Sequence, residues 1–262
     1  FVPAHNEELA IAKTLRSLNV VDYPKGSYEV IVVADNCSDR TAEIASSLSA
    51  TVYERHDDVL RGKGYALRWC FDRVLSRERG FDALIVIDAD TEVAGDFLQA
   101  INSYLERGAL VIQSSDLVKP VVGSWSSEIT RLGFLLYNYV RPLGRSFIQC
   151  SAGLRGNGMC FSTEVLRRVP WEAYSRAEDL EYGLTLLLKG FHVTFAPDAR
   201  VLATMPVSSS NAETQRARWE TGRYPVVRKF AMRLLLTGAK TFSYRFVDAF
   251  IDLIMPPLVN LL

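Results

Sequence analysis

Asp88-Ala89-Asp90 follows directly on the apolar run 83–87, so two carboxylates emerge together at a strand end, where their repulsion costs free energy unless a cation is present. Oxygen donors of this kind select hard cations such as Mg²⁺ or Mn²⁺, and an ion incompletely held by protein completes its shell with phosphate oxygens. A solvated turn in which Asp90 caps the next helix explains the same residues. Asp35 closes a second β-branched run, 28–34, and points a carboxylate at the same crevice. With Asn36, Ser38 and Asp39 it offers acceptors for a base, a ribose or a helix cap. Glu178-Asp179 opens a helical stretch, where an ionised carboxylate serves either as a general base or as a plain cap. Gln215, Arg218 and Trp219 fall at i, i+3 and i+4 and would share one helix face. Such a face offers an amide for hydroxyls, a guanidinium for pyrophosphate and an indole on which a sugar ring can stack. A basic amphipathic helix at a membrane surface is the competing explanation, and Arg216, Arg223, Arg228 and Lys229 fit it better. Arg61-Gly62-Lys63-Gly64 could place a cation over phosphates, although it lacks the full phosphate-loop pattern and a flexible basic turn explains it nearly as well.

These residues need a scaffold that gathers strand ends. Through 113 the chain alternates helical spacing (Leu9, Ala12, Leu15, Leu18; 41–48; 64–75; 97–105) with short strand runs at 28–34, 51–54, 83–87 and 110–113. That alternation predicts an α/β domain with a mostly parallel sheet covered on both faces, whose ligands sit beyond the carboxyl ends of the strands. The polar groups His5-Asn6-Glu7, Asp35 and Asp88 to Asp90 lie at those ends. Further on, the spacing predicts a helix over 125–139, a glycine loop at 153–158, a helix from 178 to 188, a strand at 191–196 and a polar loop at 205–211. The run 246–262 is apolar but carries Asp248 and Asp252 and breaks at Pro256-Pro257, which suits an interfacial helix or the start of a membrane segment.

Thirty basic residues balance thirty acidic ones, which argues against a nucleic-acid footprint over the whole domain. Four cysteines without metal-ligand spacing read as reduced thiols, with Cys160 in the core. Neither Ser/His nor Cys/His arrangements suggest a covalent nucleophile. The first strand, represented by Phe1 and Val2, reads as truncated, and both ends of the chain look cut.

Taken together, Val2-Pro3-Ala4-His5-Asn6-Glu7, the run VVADNCSD at 32–39, Arg61 to Gly64, IDAD at 87–90, Gly156-Asn157-Gly158, Glu178-Asp179 and QRARW at 215–219 resemble the family 2 glycosyltransferases, in particular their processive, membrane-associated members. The resemblance implies a GT-A fold that binds a UDP-sugar and transfers the sugar with inversion, using Mg²⁺ or Mn²⁺. It assigns Pro3, Ala4, His5, Asn6, Glu7, Asp35, Lys63, Asp88 and Arg218 to the nucleotide, Asp90 to the metal, Asp179 with Glu178 to catalysis, and Gly156, Asn157, Gln215 and Trp219 to the acceptor. It implies a catalytic domain over 1–205 and a membrane-interfacial or truncated transmembrane region over 206–262. The expected partners are a UDP-sugar, a glycan or lipid acceptor and the cytosolic face of a membrane. A sugar-nucleotide-binding module without activity and a nucleotidyltransferase are the alternatives.

Overall fold

In the computed structural model, which describes residues 1–78, 80–119, 125–203 and 209–255 without the side chains of 125–127, 130 and 209–221, strands and helices alternate from the first residues onward. The elements run β1 (Val2–Ala4), α1 (Ile11–Asn19), β2 (Ile31–Asp35), α2 (Thr41–Ser47), β3 (Thr51–Arg55), α3 (Lys63–Leu75), β4 (Ala83–Val86), β5 (Thr91–Val93), α4 (Phe97–Glu106) and β6 (Val111–Val118). They continue through α5 (Trp125–Leu135), a π-helical turn over Leu136–Val140, α6 (Arg141–Phe147), β7 (Met159–Ser162), α7 (Thr163–Arg168), α8 (Glu178–Leu188), β8 (Val193–Ala203), α9 (Ser209–Thr241) and α10 (Tyr244–Ile254).

Strands β1, β2 and β3 pair in parallel, and the remaining strands form a second group in the order β4-β7-β6-β8-β5. The Phe1 backbone nitrogen donates to Ile85 O at 2.6 Å and Ile87 N donates to Phe1 O at 2.9 Å, so the two groups adjoin as one surface. The β6–β8 pair is also parallel, whereas β4–β7, β6–β7 and β5–β8 are antiparallel. The parallel arrangement predicted from the alternation therefore holds through the first half, and β7 and β5 enter the second half in reverse.

Side-chain alternation along the strands divides the interior in two. Ile31, Val33, Leu84, Val86, Val111, Met159 and Phe161 enter one core with α3, α7 and α8. Val2, Val32, Ile112, Cys160 and Val201 point to the opposite face and meet α1 and α4. Phe71, Phe161, Trp171 and Tyr182 make edge contacts at the centre of the first core, and fully burying each contributes roughly 2–3 kcal/mol.

Strand β6 runs five residues past the predicted end at 113. Ser114, Ser115 and Asp116 break the apolar pattern but are buried, and Gly158 O accepts from Ser114 N at 2.9 Å. Strand β8 extends to Ala203 because its register with β6 shifts between Ser114 and Ser115, letting both strands continue past the irregularity. The predicted polar loop at 205–211 gives way to helix from Ser209 onward. The expected domain boundary at 205/206 and the Pro256-Pro257 break lie outside the described residues.

Helices α8, α9 and α10 enclose a third core around Leu184, Leu187, Val226, Phe230, Leu234, Ala249 and Leu253. Asp248 and Asp252 on α10 are not the surface charges their sequence context suggests. Asp248 pairs with Arg145 at 2.6 Å, while Asp252 meets Arg141 at 2.7 Å and Arg145 at 2.9 Å. One basic residue expected at a membrane surface is also engaged internally: Arg223 donates to the carbonyls of Asp252, Leu253 and Met255, whereas Lys229 stays exposed while pairing with Glu181 at 2.6 Å. Removing one partner from the buried Arg145–Asp252 pair costs about 3–5 kcal/mol, because the other charge is left uncompensated. Among the described residues, no helix is long and apolar enough to cross a membrane.

Gly158 is the tightest joint in this arrangement. Its φ is +66°, and a Cβ there would lie 1.7 Å from Ser114 Oγ and 3.0 Å from Ser114 Cβ. Gly158→Ala is expected to lose about 3 kcal/mol or more in urea unfolding. Gly190→Ala, at φ +88° but facing open space, should lose only about 1 kcal/mol, and equal losses would refute the steric argument.

Candidate active site

The crevice lies beyond the carboxyl ends of β1, β2 and β4. At the first of these, Asn6 takes φ +55° and its Oδ1 accepts from Ser38 N at 2.8 Å, while Glu7 N donates to Thr41 Oγ1 at 2.8 Å. His5 Nδ1 lies 2.7 Å from Asp35 O. The loops after β1 and β2 are thereby fastened to each other, bringing Pro3 to Glu7 beside Asp35. The Asp35 carboxylate is buried and paired with Arg55, which also reaches Asp57 at 3.0 Å and Leu60 O at 2.6 Å.

Lys63 is the cation around which the other strand end is organised. It opens α3, and its Nζ donates to Asp88 Oδ1 and to Gly156 O, both at 2.6 Å, with Glu178 Oε1 at 3.7 Å. Three segments remote in sequence thus converge on one ammonium group. Gly156, at φ +84°, brings its backbone beside Asp179, since a Cβ there would lie 3.2 Å from Asp179 Oδ2. Asp88, Lys63, Gly156, Glu178 and Asp179 are therefore brought together, with Asp90 at the exposed lip.

The resemblance assigns Asn157 to the acceptor, and the structure places it beneath the site instead. It is 4% exposed, and its Oδ1 accepts from Asp88 N at 3.1 Å while its Nδ2 donates to Thr91 Oγ1 at 3.0 Å and to Asp116 Oδ1 at 3.1 Å. With its amide engaged on both sides, Asn157 positions the Asp88–Asp90 loop from beneath. Gln113 secures the same floor, donating to Asn157 O at 2.7 Å and accepting from Arg155 N at 2.8 Å. Local sequence pattern does not mark Gln113, Asp116, Thr91, Asn138 or Arg155 as part of this floor. The available signal was the polar run 113–116 following directly on an apolar strand. Gln215, Arg218 and Trp219 belong to α9, but their side chains lie outside the described residues.

The crevice holds more negative charge than it neutralises. Partial desolvation and the charges of Asp90 and Asp88 raise Glu7, and desolvation with the Asp88 charge raises Asp90. Burial raises both Glu178 and Asp179, and Lys63 opposes the rise in each. Burial also opposes the charge on Lys63, but Asp88, Glu178 and Asp179 outweigh it and hold the lysine protonated. Among the described residues, no three His, Cys, Asp or Glu side chains form a group able to hold a metal ion by themselves. Asp90 beside Asp88 instead fits a hard cation that draws its remaining ligands from a bound diphosphate.

Burial, followed by the Asp88 charge, pushes Asp116 up to about 8. Because its folded value exceeds the unfolded one, near 4, the folded state binds more protons between those values and loses stability as pH rises through that window. Asp116→Asn removes this contribution. Its unfolding free energy between pH 5 and 8 is expected to be flatter than that of the unsubstituted protein by at least about 1 kcal/mol, and an unchanged slope in urea titrations would refute the assignment.

Residues 1–222 match the family described as "Glycosyltransferase like family 2". The chain is 29% identical over 236 residues to a beta-monoglucosyldiacylglycerol synthase of Synechocystis sp., an alignment covering 85% of this chain and 47% of that protein. It spans about half the length of the curated relatives it matches. Among solved structures, S. aureus TarS in complex with UDP-GlcNAc superimposes with a TM-score of 0.63 at 18% identity, covering 89% of this chain and 65% of that one. The mannosyltransferase PcManGT of Pyrobaculum calidifontis, in complex with GDP-Man and Mn²⁺, gives 0.64 at 18% identity, covering 88% and 63%. With the family match extending over most of its length and the architecture shared with these enzymes, the chain has the GT-A fold and belongs to the glycosyltransferase-like family 2.

Proposed function

We propose that the chain is the catalytic region of an inverting, divalent-metal-dependent glycosyltransferase that moves a hexose or N-acetylhexosamine from a UDP-sugar to a hydroxyl of a glycan or lipid acceptor. The observation that carries this reading is the convergence of Asp88, Gly156 and Glu178 on Lys63, with Asp179 set against Gly156. A bound UDP-sugar would set its base and ribose against Pro3, Ala4, His5, Asn6, Glu7 and Asp35, with Asp88 and Lys63 toward the ribose and diphosphate. Asp90 would hold Mg²⁺ or Mn²⁺, which when bound stabilises negative charge on the diphosphate.

Asp179 then acts as general base. As the acceptor oxygen bonds to the anomeric carbon, its proton passes to Asp179, the bond from that carbon to the diphosphate oxygen breaks, and the electron pair leaves with UDP. Attack from the face opposite the leaving group inverts the anomeric centre. Burial raises Asp179 toward the range where it can hold that proton, while Lys63 and Arg155 keep it from rising without limit. Glu178 carries the neighbouring charge and shares Lys63. Gly156 lends backbone to the acceptor side, and on α9 Gln215 and Trp219 would bind the acceptor while Arg218 would close on the pyrophosphate.

A UDP-bound neighbour supports the donor class, and the named lipid glycosylator among the relatives supports a lipid acceptor alongside a glycan. Contact with the cytosolic face of a membrane is part of the same reading. Tyr244, Val247, Ile251 and Ile254 expose an apolar stripe along α10, opposite the residues that face the third core.

Asp179→Asn in the full-length protein is expected to lower transfer at least about 10²-fold while UDP affinity stays within about twofold of the unsubstituted protein. A donor panel with product analysis measures the first and calorimetry the second. Retained turnover would remove Asp179 from the role of base.

A further inference from the structure

The start of α3 lies directly on the chain that leads into α8. Arg68 Nη1 donates to Trp171 O at 3.1 Å, and the Tyr65 and Tyr174 rings stack with centroids 4.3 Å apart and planes 12° from parallel. Gly64 meets backbone at the same face: a Cβ there would lie 2.2 Å from Ala173 O and 3.3 Å from Tyr174 Cα. Because Gly64 and Arg68 are four residues apart, they share one side of the helix. Contacts therefore climb α3 toward its first residue as segment 171–174 climbs toward α8. The next in the series is Lys63 Nζ with Glu178 Oε1, at 3.7 Å.

Neither partner can back away along most of this seam. Trp171 and Ala173 are buried in the first core with Leu67, Cys70 and Phe71 of α3, and Tyr182 Oη donates to Val169 O at 2.6 Å from the side of α8. What can give is the first turn of α3, where Gly62 is exposed and no side chain caps the helix. A side chain at 64 would lift that turn. Asp88 Oδ1 and Gly156 O, both at 2.6 Å, hold the Lys63 ammonium from other elements, and its four-carbon stem can follow them. The longer contact to Glu178 is the one such a shift would open.

We propose that Gly64 is a positioning residue: by letting the first turn of α3 rest on the backbone of Ala173, it brings Lys63 to Glu178 at the start of α8 and so sets kcat rather than nucleotide affinity. The inference rests on Glu178 and Asp179 forming the catalytic side of the crevice. Lys63 keeps Asp88 when the turn lifts, so the nucleotide side is retained, while the start of α8 loses its nearest ammonium group.

The test joins a crystal structure of Gly64→Ala in the full-length protein to turnover with UDP-glucose and UDP-N-acetylglucosamine and to UDP affinity by calorimetry. Lys63 is expected to keep Asp88 and to leave Glu178 beyond ion-pair distance, about 4 Å. The same variant should lower kcat at least about tenfold with UDP affinity within about twofold. Arg68→Gln weakens the seam farther from Lys63 and should lower the melting temperature while kcat stays within about twofold. Gly95→Ala, whose Cβ would meet open space, should change neither. A Lys63–Glu178 contact that survives Gly64→Ala, an unchanged kcat, or an equal kcat loss in Arg68→Gln would overturn the proposal. If Gly64→Ala does not fold, Tyr65→Ala loosens the same turn without adding a Cβ. It should lower kcat about threefold or more while Tyr65→Phe keeps it, and an unchanged kcat in Tyr65→Ala overturns the proposal alone. Full turnover by Asp179→Asn would instead sink the catalytic reading, and the Lys63–Glu178 distance in the Gly64→Ala crystal tells the two failures apart.

Discussion

Negative charge crowded into one crevice is the constraint on which this structure turns. Glu7, Asp88, Asp90, Glu178 and Asp179 approach one another across strand ends and a helix start, with Lys63 bonded to Asp88 and close to Glu178. Such an arrangement persists only if the scaffold prevents it from flying apart. The polar floor of β6 does this through neutral groups: the Asn157 amide links Asp88 N to Thr91 and Asp116, and Gln113 holds the backbone on either side of Gly156. Hydrogen bonds from amides fix geometry without cancelling charge, so the site retains the negative charge that the proposed cation and diphosphate would meet.

The two halves of the crevice carry different loads. At the ends of β1, β2 and β4, carboxylates and reciprocal loop bonds shape the crevice proposed to take the nucleotide. At the start of α8, Asp179 is half-buried and bordered by Gly156. Lys63 spans both, which separates the group proposed to take a proton from the groups proposed to hold the diphosphate. The helices at the carboxyl end do more than cover an apolar face. Through Asp248, Asp252 and the arginines they engage, α10 is fastened to the same loop that borders Asp179.

Much of this was legible in the sequence. Apolar runs ending in Asp35 and in Asp88-Ala89-Asp90 marked the strand ends, and Glu178-Asp179 marked a helix start, because strand period and helix-terminal charge are local properties. The floor was not legible for the opposite reason. Gln113 and Asp116 look like the end of a strand until Asn157, more than forty residues away, supplies partners that make their burial affordable. The reversal of β7 and β5 depends on which strands adjoin, which local alternation does not encode. A loop asparagine beside two glycines suggests ligand contact, whereas both sides of the Asn157 amide are occupied within the protein. Asp252 and Arg223 looked like surface charges because their partners lie on other elements.

The most direct test is the thermodynamic linkage between cation and nucleotide diphosphate. Calorimetric titration of the full-length protein with UDP, in the presence of Mn²⁺ and again in chelator, is expected to show binding at least about tenfold tighter with the metal. Asp90→Asn should abolish most of that gain while changing metal-free binding little. UDP affinity that is indifferent to Mn²⁺, or a metal-dependent gain that survives Asp90→Asn intact, would contradict the role assigned to the crowded carboxylates.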